Sequence, residues 1–175
     1  PSSVAVLVGN HREGAIALAC GRSLLNRGIS VTAWFSGNLL AVNDHVAFQR
    51  KLFLSAGGKC VDQGELEAAD TDSVESVCDL LIDGALGREG SLSKGNLFSL
   101  DSFKFSLLAS IERSLSSRPD VLFAIAFPKK HHCSVRHNCR LYLVDINLPA
   151  AAYKSAVPEY QPMAVFGSRL SVRIR

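Results

Sequence analysis

The chain has 175 residues, 47% hydrophobic and 20% charged, with a formal net charge of +3. That length and apolar content predict one globular domain with a real core, and the small positive excess permits a nucleic-acid partner without requiring one. No apolar run approaches the roughly 18 residues that cross a bilayer, and the first nine residues lack the basic start and cleavage pattern of a signal peptide, so the expectation is a cytosolic chain with no membrane partner.

Val4 to Val8 is short, Val-rich and continuously apolar, which predicts a parallel strand buried on both faces. A helix from Gly14 to Asn26 follows, with Ile16, Cys20 and Leu24 on one stripe and Gly28 as its left-handed cap. Ser30 to Phe35 is the second strand. Val42, Val46 and Phe53 recur at helical spacing up to Gly57-Gly58, and Lys59 to Val61 is a weak third strand. Gln63 to Glu75 is acidic and Ser-rich, a surface loop or short helix. Cys78 to Gly87, "CDLLIDGALG", is a buried strand with Asp83 towards its carboxyl end. Phe103, Leu107, Leu108, Ile111 and Leu115 then predict a helix over Asp101 to Leu115.

After Pro119 come a strand from Val121 to Phe127, the basic run "KKHHCSVRHNCR", a strand "LYLVDI", and a helical turn over Ala150 to Lys154. "AVFGSRLSVRIR" alternates apolar and charged residues, as in a strand with one solvated face. The strand-helix alternation predicts an α/β fold, a doubly wound, mostly parallel sheet with ligands at the carboxyl ends of its strands. Of five cysteines, Cys20, Cys60 and Cys78 sit in apolar segments and Cys133 and Cys139 in the basic run, a pattern of reduced thiols with the first three buried.

Four clusters are candidates for chemistry. Gly9 and Gly14 are spaced like the ends of a nucleotide-binding loop, but Ala15-Ile16 stands where Lys and Ser/Thr would hold phosphate and magnesium. Asn10, His11 and Arg12 would crowd a cofactor approaching the backbone, which leaves either a vestigial anion site or an ordinary strand-to-helix turn. Asp83 and Asp145 each end an apolar strand: they either face one cleft as an acid-base pair or cap nearby turns. Glu13 and Asp44 show no partner and read as solvated. Lys129, Lys130, His131, His132, Arg136 and Arg140, with Phe127 and Tyr142 close by, form a basic stretch read either as a single-stranded RNA contact or as a solvated loop, and the last strand with Arg169, Arg173 and Arg175 is the other surface open to RNA, alone or together with the stretch. His131, His132, Cys133, His137 and Cys139 invite a zinc reading, but a closed site from one short run is sterically awkward, and no metal is assigned.

Taken in order, "LVGNHREGAIALACGRSLLNRGISVTAWF", "CDLLIDGALG" and "CRLYLVDINLPAAAYKSAVPEYQPM" resemble the YjeF N-terminal domain family, and within it the C-terminal domain of mRNA-decapping enhancers. The resemblance implies a Rossmann-like three-layer sandwich over the whole chain. Enzymatic members of that family are NAD(P)HX epimerases with an Asn-Asn-Gly-Gly-Asp-Gly loop and a later Asp in a "VD-P-SG" turn. Here the loop positions are Arg12 to Ala17, with Ile16 in place of the acid. If "DVLFAIAFPKK" is the strand of the second motif, Ala126 replaces its Asp; if it is the later "apK" strand, the catalytic strand is absent; a third placement uses "LFSLD" and Asp101. The resemblance therefore implies a non-catalytic domain with no cofactor. It further implies a homodimer that binds RNA, multimerises messenger ribonucleoprotein with decapping-complex proteins, and works in cytoplasmic processing bodies. The alternative is a divergent epimerase or nucleotide-binding sensor using Asp83 and Asp145.

Overall fold

In the computed structural model, which describes residues 2–36, 42–62, 76–86, 100, 103–112, 118–127, 129–135, 139–146, 149–159 and 165–174, the chain builds one eight-stranded sheet. In chain order the elements are β1 (Ser3–Val8), α1 (Arg12–Leu25), β2 (Ser30–Phe35), α2 (Asp44–Ser55), β3 (Lys59–Val61), β4 (Ser76–Gly84), β5 (Phe103–Ile111), β6 (Val121–Ile125), α3 (Lys130–Val135), β7 (Arg140–Val144), α4 (Ala150–Ala156) and β8 (Ser171–Ile174). The strand order is β3-β2-β1-β4-β5-β6-β7-β8, parallel throughout except for β8, which runs antiparallel to β7. This is the Rossmann-like, mostly parallel sheet that the element pattern predicts. Its direction of winding reverses between β1 and β4, so the crevice beyond their carboxyl ends is the place where such folds take ligands.

Packing explains the tight α1 contact. Val4, Val6 and Val8 face Ala15, Ala17 and Leu18 of α1 and Val46 and Phe53 of α2 in one core cluster, while Ala5, Leu7, Trp34, Leu81 and Phe103 build the cluster on the other face. A Cβ on Gly14 would lie 2.0 Å from the Gly9 carbonyl oxygen, and one on Gly84 would lie 2.6 Å from Ala17 Cβ. Small residues therefore set how closely α1 approaches β1 and β4. The buried face of α1 is Gly14, Ala17, Leu18 and Gly21, so the expected Ile16-Cys20-Leu24 stripe is displaced: Ile16 and Leu24 only flank the core, and the Cys20 thiol, expected to be buried, is exposed. Gly28 has the expected left-handed φ of 79°.

The main correction is β5. The segment predicted as a helix over Asp101 to Leu115 is a strand from Phe103 to Ile111, paired in parallel to both β4 and β6. Its carboxyl half, Leu108 to Ile111, is buried. A strand covered on both faces shows a continuous apolar run that helical spacing also fits. Its amino half carried the distinguishing signal: Phe103, Lys104, Phe105 and Ser106 alternate between buried or half-buried and exposed. A strand therefore lies between β4 and β6, so β6, which leads to Ala126, does not neighbour β4. Asp101 and the acidic stretch Gln63 to Glu75 lie outside the described residues.

Candidate functional site

At the β1/β4 crevice, Gly9 N donates to Gly84 O at 3.1 Å, which ties the loop after β1 to the end of β4. His11 follows with extended backbone, and its imidazole folds back over Gly9. Nε2 lies 2.8 Å from the Ala85 carbonyl and Nδ1 lies 3.2 Å from the Glu13 carboxylate. Both partners are acceptors, so the ring meets both demands only as an imidazolium. Burial alone would lower the His11 pKa, but the Glu13 carboxylate, the Ala85 carbonyl and the charge of Asp83 together hold it above its usual value. The His11 contact in turn holds the Glu13 carboxyl below its usual range. Glu13, expected to be solvated, is buried and paired.

The candidate anion site is thus a packed connection. Asn10 Oδ1 accepts from Asn43 N at 2.7 Å, and the space above Gly14 is filled by the Gly9 backbone. Arg12 is exposed and lines a groove of about 230 Å³ between α1 and α2, with Ile16, His45, Phe48 and Gln49. Asp83 is fully buried, and its carboxylate accepts from Ala85 N at 3.0 Å and Ser110 Oγ at 3.3 Å. Asp145 lies three strands away, roughly 14 Å at the usual strand spacing, and accepts from the Tyr153 hydroxyl at 2.8 Å. The two aspartates therefore do not share a cleft, and each serves its own turn or helix.

A second cluster, unseen in the sequence, forms at the ends of β5 and β6. Glu112, the first residue after β5, is buried and held at a left-handed φ of 62°. Its amide donates to Phe123 O at 2.8 Å, its Oε1 accepts from Ile125 N at 2.7 Å, and its other carboxylate oxygen meets the Lys129 ammonium. His131 Nε2 and His132 Nε2 both donate to the Glu112 carbonyl, at 2.9 and 2.8 Å. His132 Nδ1 accepts from Lys129 N at 3.0 Å, so the neutral ring carries its proton on Nε2. Burial pushes its pKa below the usual value. Glu112 puts an acid at the carboxyl end of the strand next to β4, a residue that the helical reading of this segment hides.

Glu112, His131 and His132 offer ligand atoms within 4.8 Å of one another, with the third group coming from a separate strand, so the steric objection to a metal does not apply to this set. The tautomer supplies a stronger one. A metal on His132 Nε2 would require a proton on Nδ1, facing the Lys129 amide hydrogen, and Lys129 already neutralises the carboxylate. The cluster is a hydrogen-bonded latch that fastens α3 to β5.

The expected RNA-contacting run is divided by this latch. His132 is fully buried and His131 half-buried, both turned to Glu112, so His132 is withdrawn from any RNA surface. Lys129 is committed to Glu112, Lys130 and Arg140 are exposed, and Arg136 lies outside the described residues. Phe127 packs edge-on against Tyr153 at 5.2 Å, whereas Tyr142 lies beside Phe123 at 5.8 Å.

Comparison with known proteins agrees with this architecture. No curated protein matches the chain. Among solved structures, the crystal structure of yeast ynu0 (YNL200c) is similar over 99% of this chain and 77% of that one, with a TM-score of 0.67 and 13% identity, a likeness of fold. The model of the family described as "YjeF-related protein N-terminus" matches residues 1–111, from the start of the chain to the last residue of β5. The chain belongs to the family of YjeF-related protein N-termini.

Proposed function

We propose that this chain is a non-catalytic member of its family, a dimerising and RNA-binding scaffold domain of the mRNA-decapping-enhancer kind. Decapping-complex proteins are the partners of the larger assembly, and processing bodies in the cytoplasm are its setting. One observation carries the non-catalytic part: the His11 imidazole occupies the switch-point crevice, bonded to Ala85 O and paired with Glu13. A dinucleotide approaching the amino end of α1 would meet that ring and the buried Glu13 carboxylate where it needs open amides. The decapping part rests on the resemblance of the first and last segments.

The alternative, a divergent epimerase or nucleotide sensor, draws on Glu112 with Lys129 and two imidazoles at the sheet's carboxyl edge. Against it, both Glu112 carboxylate oxygens are bound internally, to Ile125 N and Lys129. A general base must reach the substrate proton, and Glu112 is buried. Assay of NADPH-hydrate epimerisation, with calorimetric titration of NADP⁺, should give neither turnover nor heat. Turnover that disappears in Glu112→Gln would overturn the scaffold reading. Light scattering of the purified chain should give the mass of a dimer, and a strict monomer would remove the dimerising role.

A further inference from the structure

Beyond α1 and α2, the sheet continues into β6, β7 and β8, whose two faces differ in chemistry. One is packed: Leu122, Ala124, Leu141 and Leu143 close around Phe166, with Val172 and Ile174 against them. The strand registers place the other face in rows. Val121 pairs with Arg140; Phe123, Tyr142 and Arg173 lie side by side across three strands; Ile125, Val144 and Ser171 form the next row. Phe123 and Tyr142 are half-buried, with ring centroids 5.8 Å apart and planes tilted by 33°. Arg140 and Arg173 are exposed, and Arg173 stands directly opposite Tyr142 in the antiparallel pair. These rows hold no carboxylate among the described residues. Asp120, beside Val121, accepts from Leu108 N at 2.8 Å, and Asp145, beyond Val144, accepts from Tyr153.

Two aromatic rings on neighbouring strands, flanked by two guanidinium groups with no acidic counterpart in the rows, match a polyanion whose bases can stack. We infer that the β6–β8 sheet face binds single-stranded RNA, with Phe123 and Tyr142 stacking bases and Arg140 and Arg173 holding the adjacent phosphates. This deepens the RNA reading above, on which it rests, and of the two basic surfaces left open by the sequence it favours the strand that carries Arg173, joined by β6 and β7, over the run after Pro128. Of the six residues assigned to RNA from the sequence, only Arg140 lies in these rows. An aromatic ring stacks on any base, so binding is expected to be tolerant of sequence, and the arginines make it salt-dependent.

The test is fluorescence anisotropy with a labelled oligouridine and with an abasic sugar-phosphate chain of the same length. Tyr142→Ala should weaken oligouridine binding roughly tenfold or more and leave the abasic chain unaffected, while Tyr142→Phe keeps the ring and the affinity. Arg140→Gln with Arg173→Gln, both at exposed positions that should not disturb folding, should reduce the log-log salt slope by about 1.4 for both probes. If the wild type binds oligouridine and the arginine changes leave affinity and slope intact, this face is wrong and the RNA reading stands. If the wild type binds neither probe, the RNA reading itself fails. If the same changes dissociate a dimer in light scattering and leave RNA binding intact, the face belongs to a second copy of the chain and the inference is overturned.

Discussion

Two histidines stand at the carboxyl edge of the sheet, and their surroundings shift their pKa values in opposite directions. His11, at the β1/β4 end, has an acceptor near each nitrogen, Ala85 O and the Glu13 carboxylate, and its pKa is held above the usual value. His132, at the β5/β6 end, accepts from Lys129 N with one nitrogen and donates to Glu112 O with the other, and burial keeps it neutral. The partner of Nδ1 decides the difference: a carboxylate demands a proton there, a backbone amide forbids one. One ring plugs a crevice by ion pairing. The other seats a short helix by hydrogen bonding, and neither role needs a substrate.

The comparison breaks most readily at His132. Its ring is fully buried, so His132→Ala leaves a cavity, deprives Lys129 N of its partner and leaves Glu112 O with one of its two imidazole donors. A loss of about 3 kcal/mol is expected from denaturant unfolding. Glu112→Gln keeps an oxygen for Ile125 N but turns an amide NH₂ towards the Lys129 ammonium, a donor facing a donor. Because Lys129 is 39% exposed, the cost is nearer about 2 kcal/mol than that of a fully buried broken pair. His11→Ala, at a ring 25% exposed, should cost about 1 kcal/mol and, on the non-catalytic reading proposed above, give no epimerase activity. Equal losses at His11 and His132 would mean that the two rings are not held in the different ways described.

How much of this could be read from the sequence follows the same division. Around β1 to β3 the strands are short apolar runs ended by glycine or polar turns, so Ser30–Phe35 and Lys59–Val61 emerge at their predicted limits, and the sheet's class follows from the alternation. Beyond β4, β5 passed for a helix because its apolar residues satisfy both periods, and Glu112 went unseen with it. The latch was illegible for another reason. "KKHH" reads as a solvated basic run, and only the fold shows that α3 lies over the end of β5, which turns both imidazoles inward while Lys130 stays out. Composition counts charges; it does not say which side of a six-residue helix they occupy.

The smallest effect, and the most specific, is the pH dependence. His11 has a raised folded pKa, so its contribution is complete below the unfolded value of 6.5 and is lost as pH rises through the folded value. Glu13 has a lowered folded pKa, so its contribution is present above 4.5 and is lost as pH falls through the folded value. Between 4.5 and 6.5 both contributions are present, and the stability difference between wild type and Glu13→Gln should be largest there and shrink above it. His132 has the opposite sign: its folded pKa is lowered, the unfolded chain takes up the proton first, and stability falls as pH drops below 6.5. In an NMR titration of the imidazole resonances, the His11 midpoint should lie above 6.5 and that of His132 below it. Glu13→Gln should move the first downward and leave the second in place. Coincident midpoints would erase the distinction between an imidazolium that closes the crevice and a neutral ring that latches α3.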